Sequence, residues 1–440
     1  MRRSAAKLGA LFYLGRLYAI HERGTPSRKI SEYFSGGTIP WVKTQELTDC
    51  VLTGTDEHIT EDAVQNSSAK LLPANTVLMA MYGATVGQLG VLARPMTCNQ
   101  ACAAMVVDPS KSDYRFLYYQ LLAARSQIKS LSTGAAQQNL SGAQIKQFIL
   151  PFPPLAEQAE IAETLWLLDR RIDLLRQTNT TLEAIAQALF KSWFIGFDPV
   201  RAKQAGRKPE GMDAATAALF PAEFEESALG LIPKGWRVSE VGQAAECVGG
   251  GTPSTKEVAY WEPPVHSWAT PKDLSGLGSP VLWATERRLS DAGLKKVSSG
   301  FLPSGTLLMS SRAPIGYLAI SKIPLAVNQG FIAMRPGGLL PPVYLYFWCQ
   351  ASMDAIKQKA NGSTFMEISK AAFRPIPLVL PPQEIVASFS EIAGALFECI
   401  AANEQQRTGL TDLRDTLLPR LISGKLRLPA ARERLEDALA

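Results

Sequence analysis

Lys43-Thr44-Gln45 and Thr270-Pro271-Lys272-Asp273 each follow a tryptophan by one residue and set hydrogen-bond donors beside acceptors. Such sets suit the edges of nucleic-acid bases, where each base pair offers its own order of donors and acceptors. A solvated turn uses the same residues. Gly24-Thr25-Pro26 and Gly251-Thr252-Pro253 make tight turns that can bring backbone N–H groups, and the hydroxyls of Thr25 and Thr252, to a phosphate. A plain strand-connecting turn is the alternative. Ser310-Ser311-Arg312 stands at a predicted strand end before Pro314 and Gly316, and its counterpart is Met81-Tyr82-Gly83. Gln137, Gln138 and Asn139 follow Gly134, and amide side chains can pair bidentately with adenine. Phe365-Met366-Glu367 matches them after Gly362, with Ser363 and Thr364 between. A polar loop accounts for either segment as well. The candidate contacts to nucleic acid are thus Thr25, Lys43, Thr44, Gln45, Tyr82, Gln137, Gln138, Asn139, Thr252, Thr270, Lys272, Asp273, Ser311, Arg312, Ser363 and Thr364.

Catalytic signatures are missing from the same chain. No G-x-x-x-x-G-K-S/T loop is present, so the chain is not expected to use ATP. Three histidines (His21, His58, His266) and no His-Glu-x-x-His give no metal-hydrolase pattern. No convincing carboxylate cluster suggests a two-metal nuclease. Phe152-Pro153-Pro154-Leu155 lacks the acidic or amide group that an adenine methyltransferase needs at a strand end. We expect a binding role, with no metal and no catalytic residue in this chain.

The elements that must hold these residues occur twice. Gly24-Thr25-Pro26-Ser27 returns as Gly251-Thr252-Pro253-Ser254, and Trp41 returns as Trp268. Leu72-Pro73 and Thr76-Val77-Leu78-Met79 return as Leu302-Pro303 and Thr306-Leu307-Leu308-Met309, and Asn99-Gln100 returns as Asn328-Gln329. The near-constant offset predicts two similar domains related by a pseudo-two-fold, an arrangement suited to DNA with separated half-sites. Short strands punctuated by Gly and Pro, then one helix (about 114–129 and 342–359), predict an α+β domain. Trp41 and Trp268 are read as core packing rather than base stacking.

A proline pair (Pro153-Pro154, Pro381-Pro382) and a long helix follow each domain. Apolar positions in the first helix are Ile161, Leu165, Leu168, Ile172, Leu175, Leu182, Ala186, Leu189 and Trp193, with Asn179 in the polar slot. In the second they are Ile385, Phe389, Ile392, Leu396, Cys399, Leu410, Leu413 and Leu417, with Asn403 and Gln406 at the centre. Alternating four-three spacing predicts coiled-coil seams, each about 50 Å long. The pseudo-two-fold makes them antiparallel, with the domains at opposite ends. Mid-seam asparagine either fixes register or marks a locally hydrated position. The expected blocks are domain 1–152, helix 153–195, connector 196–235, domain 236–380, helix 381–426 and tail 427–440. The connector, rich in Pro, Gly, Lys and Glu, is expected to be ordered to semi-flexible with one short helical piece near 214–220.

The net charge of +5 (45 basic less 40 acidic residues) permits nucleic-acid binding without arguing for it. Six scattered cysteines suggest reduced thiols, no structural zinc and a cytoplasmic protein. No uninterrupted apolar run approaches the roughly 20 residues that span a bilayer, and no membrane association is expected. The basic start (Arg2, Arg3, Lys7) followed by an apolar stretch is read as structure, the counterpart of residues 236–241.

Three segments carry a resemblance: Ser192-Trp193-Phe194-Ile195-Gly196-Phe197-Asp198-Pro199-Val200-Arg201-Ala202-Lys203, Gly230-Leu231-Ile232-Pro233-Lys234-Gly235-Trp236, and Leu417-Leu418-Pro419-Arg420-Leu421-Ile422-Ser423-Gly424-Lys425-Leu426. With Pro153-Pro154-Leu155-Ala156-Glu157-Gln158 at the first helix start, they resemble the specificity subunit of type I restriction–modification enzymes. The second helix start, Pro381-Pro382-Gln383-Glu384, departs from that motif. The resemblance implies two target recognition domains, each reading half of a split duplex DNA sequence, and an antiparallel coiled coil that sets the spacer. It implies two modification (methyltransferase) subunits as partners, and restriction subunits beyond them. S-adenosylmethionine, ATP and Mg would sit on those partners and no cofactor on this chain. A self-contained DNA-modifying enzyme and a coiled-coil adaptor without DNA contact are the competing readings.

Overall fold

The computed structural model describes residues 4–7, 12–19, 25–131, 139–362 and 366–439. The chain forms two compact units, Met1–Ile172 with Thr408–Ala440, and Asp173–Arg407. Each contains one copy of the duplicated domain and one part of each long helix.

In the first unit a five-stranded sheet runs in the order Phe12–Ala19, Cys102–Val107, Val77–Ala80, Leu89–Leu92, Cys50–Leu52, and only its last pair is parallel. A three-stranded sheet runs His58–Ile59, Ile39–Val42, Thr97–Cys98. The second unit repeats both. Its larger sheet is Cys247–Val248, Phe331–Met334, Leu307–Ser311, Ile315–Ser321, Val281–Leu282, and its smaller one is Arg287–Leu289, His266–Ala269, Ala326–Val327. Val77–Ala80 and Leu307–Ser311 are buried at every position, which is why they read as continuous apolar runs rather than alternating ones. Ser4–Lys7 pairs with Ile149–Phe152 just as Arg237–Glu240 pairs with Pro377–Leu380, so the start of the chain has its strand counterpart in the second copy.

The single helix expected after each sheet is two short ones, Tyr114–Ala123 with Arg125–Ser130, and Pro342–Ala351 with Met353–Gln358. The break serves the sheet. Arg125 donates to the Gly87 carbonyl at 3.0 Å and pairs with Asp49. Met353, at the matching position, lies so close to Gly316 that a Cβ there would stand 2.7 Å from its sulfur. Gly87 (φ +80°) and Gly316 (φ +108°) thus both provide the left-handed turn, and Gly316 also leaves room for the helix residue.

The two long helices are Leu155–Phe194 and Gln383–Ile422, 40 residues each. In the first unit, Tyr119 Oη donates to Asp169 at 2.5 Å and Arg414 donates to the same carboxylate at 2.7 Å. Burial, then the charge of Asp169, pushes the Tyr119 phenol up, so it remains a donor. In the second unit, Asn403 Nδ2 donates to Asn179 Oδ1 at 2.9 Å, and the Asn179 amide faces the Ile400 carbonyl at 3.4 Å. In the second unit Asn179 meets Asn403 while Phe190 and Trp193 meet Phe389, so numbering rises on one helix as it falls on the other and the segments are antiparallel. Asn179→Leu alone would leave the Asn403 amide without its partner and is expected to destabilise the second unit by about 1–3 kcal/mol. Adding Asn403→Leu should recover most of that loss. Thermal melts of the three variants test this, and an Asn179→Leu variant as stable as the parent would remove the amide pair from the account.

Ile161, Leu165, Leu168, Leu175, Phe389, Leu410 and Leu417 are buried, and Ile172, Leu182, Leu189, Leu396 and Leu413 are partly so. Ile392, at 42% exposed, and the exposed Cys399 lie off the seam expected for them. The buried line runs instead through Val386, Phe389, Ala393, Phe397 and Ile400. Steps of three and four fit either line, and the large Phe397 ring, packed on Tyr346 and Phe347, selects this one.

The connector is folded. Asp198–Gln204 and Ala214–Leu219 are helical, and Phe224–Ser227 pairs with Gly230–Pro233. Trp193, Phe220 and Trp236 interlock, and Val200 and Ile232 are buried beside them. The departure at the second helix start has a local reason. Gln158 is buried, accepts from Ser112 Oγ at 2.9 Å and donates to the Pro153 carbonyl at 2.9 Å. The matching residues of the second copy, Leu340 and Val386, share one apolar core, so oil replaces the hydrogen bonds.

A window of the second long helix is apolar and long enough to cross a membrane by length and composition alone, although no uninterrupted run of that length occurs. Its Val386, Phe389, Ala393, Phe397 and Ala401 side chains are packed in the core of the second unit.

Candidate nucleic-acid interface

Each unit gathers its sequence landmarks into one row. In the first, the Thr25 hydroxyl bonds Gln100 Oε1 although 75 residues separate them. The Asn99 N–H donates to the Val42 carbonyl at 2.9 Å, so the Asn99-Gln100 turn sits against the strand that leads into Lys43. Met81 N–H donates to Ala101 O at 2.8 Å, and Leu140 N–H donates to Met81 O at 2.9 Å. That sets Tyr82 opposite Asn139 in a backbone bridge. The second unit repeats every link. Thr252 Oγ1 bonds Gln329 Oε1 at 2.5 Å, and Asn328 N–H donates to Ala269 O at 3.0 Å. Ser311 N–H donates to Gly330 O at 2.8 Å, and Ile368 N–H donates to Ser311 O at 3.0 Å. Arg312 then faces Glu367 as Tyr82 faces Asn139, so Ser311 corresponds to Met81 and Arg312 to Tyr82, one residue off the match expected from the sequence.

The turns after the tryptophans are rigid. Glu46 accepts from the Lys43 N–H at 2.7 Å and from the Asp56 N–H at 2.9 Å. Asp273 does the same for the Thr270 and Glu286 N–H groups, both at 2.7 Å, and also takes the Thr270 hydroxyl at 2.8 Å. A carboxylate accepting from two backbone N–H groups closes a short turn like a helix cap. Lys43 pairs with Glu57 at 3.1 Å and Lys272 with Glu286 at 2.8 Å. Burial pushes the Glu57 carboxyl up, but hydrogen bonds from Lys43 and Arg28 and their charges outweigh it and hold Glu57 below its usual range.

Trp41 and Trp268 are buried at 3% and 2%, so their rings serve the core. A guanidinium covers each aromatic pair, but it comes from a different place. Arg28 lies 4.8 Å from the Phe34 ring and 5.3 Å from that of Trp41. Arg287 lies 3.7 Å from the Trp261 ring and 5.3 Å from that of Trp268. Arg287 occupies the position of Glu57 in the first copy, so one site carries opposite charge in the two domains while the cation–π contact persists.

Among the candidates, Gln45, Tyr82, Asn139, Thr252 and Lys272 are exposed, and Thr25, Lys43, Thr44, Thr270 and Arg312 are half-buried. The hydroxyls of Thr25 and Thr252 are bonded to glutamine, which ties the Gly-Thr-Pro turn to the row. Asp273 and Thr270 hold their own turn together, so these two shape the site rather than offer free polar atoms. Ser311 is 3% exposed within an entirely buried strand, and its neighbour Arg312 takes the outward place expected for it. Gln137, Gln138, Ser363 and Thr364 lie outside the described residues. Gln100, Gln329 and Glu367 belong to the row but were absent from the candidates. The repetition of Asn-Gln between two apolar strands was the available signal for the two glutamines.

Close backbone approach fixes the second Gly-Thr-Pro turn. A Cβ on Gly250 would stand 1.7 Å from the Val327 carbonyl oxygen. Gly250→Ala is expected to destabilise the second unit by about 1–3 kcal/mol in thermal melts. An unchanged melting temperature would show that the turn moves freely away from Val327.

Among the described residues no group of three or more His, Cys, Asp or Glu side chains is placed to hold a metal ion.

The comparisons with known proteins agree with this architecture. A family model described as the type I restriction modification DNA specificity domain matches residues 10–184 and again residues 233–411. Each match takes in one domain and the first thirty or so residues of the helix that follows. The type I restriction enzyme MjaIX specificity subunit of Methanocaldococcus jannaschii is 28% identical over 417 residues, 92% of this chain and 90% of that protein. The HindI specificity subunit of Haemophilus influenzae is 28% identical over 323 residues, 64% of this chain and 70% of that protein. The crystal structure of a type I restriction-modification S subunit from M. genitalium shares the fold, with a TM-score of 0.57 at 17% identity and 95% of both chains covered. Matched in both halves, the chain belongs to the family of type I restriction–modification DNA specificity subunits.

Proposed function

We propose that this chain reads a bipartite duplex DNA target, one domain per half-site, and holds the subunits that act on it. Two modification subunits would dock on it and methylate adenine with S-adenosylmethionine. Restriction subunits would add ATP- and Mg-dependent cleavage. The chain itself would bind no cofactor and break no bond. The observation that supports this best is the doubled row: the same backbone links recur in both units while the side chains along them differ. A scaffold that is kept while its outward groups change is what two readers of two different sequences require.

Mapping methylated adenines in the host genome with and without this gene tests the reading. Loss of one two-part motif is expected, and an unchanged methylation pattern would overturn it. The purified chain alone should leave DNA unmethylated with S-adenosylmethionine and uncut with ATP and Mg. Within the row, Lys43→Ala with Gln45→Ala should weaken one half-site only. Glu46 is left intact because it holds the turn. Altered reading of both halves would reject the assignment of one domain to one half-site.

A further inference from the structure

We propose that Arg312 and Glu367 together read one G·C base pair in the half-site of the second domain. The inference rests on the DNA-reading function above and names its chemistry. The two residues line a cleft of about 620 Å³ together with Ala313, Pro314, Ile315, Lys357 and Met366 among the described residues. Their charged ends are 3.6 Å apart, with side chains 37% and 46% exposed. That is a loose ion pair, worth little on its own and exchanged for other partners at small cost. An arginine fork suits O6 and N7 of guanine, and a carboxylate beside it can accept from N4 of cytosine. One Arg–Glu pair therefore offers a donor set and an acceptor side by side, as the major-groove edge of a G·C pair demands.

The backbone beneath is held before any ligand arrives. Buried Ser310 donates to the Pro314 carbonyl at 2.7 Å and accepts from the Tyr317 N–H at 2.8 Å, locking the turn from inside. Ala313 sits at φ +53°, a left-handed conformation that the matching Gly83 (φ +70°) adopts freely. An L-residue kept there is strained backbone retained by its surroundings. Glu367 exchanges two backbone hydrogen bonds of 2.9 Å with Asn361 while bridging Arg312 on its other side. Such prior fixing favours recognition because less ordering remains to be done on binding. Lys357, on the helix Met353–Gln358, adds positive charge to the cleft wall, suited to the neighbouring phosphates.

The first domain supplies the contrast. Tyr82 and Asn139 occupy the same bridge with no charge, and an amide suits adenine rather than a G·C pair. Equivalent backbone with exchanged side chains marks this bridge as the point where the two domains differ in what they read.

The test is selection from a randomised duplex DNA library by the full chain assembled with its modification subunits, for the parent, Glu367→Gln and Arg312→Gln. Each variant is expected to lose about ten-fold or more of its preference at a single position, which is G·C in the parent motif. The other half-site should remain unchanged. Glu367→Gln keeps the shape of the side chain, and a melting curve verifies its fold; should Arg312→Gln fail to fold, Glu367→Gln decides alone. If the parent selects a two-part motif and neither variant changes any position, this inference is overturned while DNA reading stands. It is equally overturned if the affected position is A·T, or lies in the half-site altered by Lys43→Ala with Gln45→Ala. A parent complex that selects no sequence overturns the DNA-reading function itself, and this inference with it.

Discussion

On the bipartite reading proposed above, removing one heptad from both long helices is expected to bring the two DNA half-sites about three base pairs closer without changing either sequence. Seven residues of α-helix rise about 10 Å, and stacked bases are roughly 3.4 Å apart. The excision belongs between the Asn179–Asn403 tie and the Asp169–Arg414 tie, for example residues 171–177 with 405–411, so that both hydrogen-bonded pairs remain. Whole heptads keep the seam in phase, whereas removing three or five residues would rotate one side of the seam away from its partner. Mapping methylated adenines reads the spacer directly. An unaltered spacer with both half-sites still read would sink the idea that the helices set it. The effect should be all-or-none, because a target with the parental spacer would offer only one half-site at a time.

Phe389→Ala should be the most damaging single substitution in the second unit. Its ring is fully buried and lies within 5.2–6.2 Å of Phe190, Trp193, Phe194, Tyr344 and Phe347. Truncation removes the apolar burial and leaves a cavity, a loss of about 3–5 kcal/mol. Broken edge-to-face contacts add to it, about 0.5–1.5 kcal/mol each where they cannot re-form. For a unit of this size the melting temperature should fall by roughly 10 °C or more. The five partners come from the first long helix and from the helix Pro342–Ala351, while Phe389 itself stands on the second long helix, so the joint between domain and helices should loosen first. A fall of less than about 3 °C would mean that neighbouring rings close the gap. Ile392→Ala, three residues on but exposed, should be nearly silent in the same melt.

Duplication was plainly legible in the residues, because Trp41 and Trp268, or Asn99-Gln100 and Asn328-Gln329, had to stay in place for the same strands to pair. The antiparallel helices were legible too, since four-three spacing marks two seams and the pseudo-two-fold gives them opposite directions. Other features depend on tertiary partners. Whether Ile392 or Ala393 faces inward is decided by Phe397 and the rings around it, not by spacing. The bond from Thr25 to Gln100 joins residues 75 positions apart, and no local pattern announces it. Arg287 and Arg28 cover equivalent aromatic pairs from unrelated positions, so aligning the two copies hides the shared contact. The connector reads as ordered to semi-flexible by composition, and what holds it, the contacts among Trp193, Phe220 and Trp236, depends on residues far apart in sequence. Ser311 suits a base edge by type but is sealed inside the sheet, one residue short of Arg312, whose side chain is 37% exposed.

The second unit is a continuous stretch, Asp173–Arg407, whereas the first is completed only by Thr408–Ala440. On the ribosome the later-made unit can therefore close before the earlier-made one. At about 5–20 residues per second, the leading domain waits tens of seconds for the strand of polypeptide that finishes it. A nascent chain stalled near residue 407 would carry one finished half and one orphaned half, a natural substrate for chaperones and proteases.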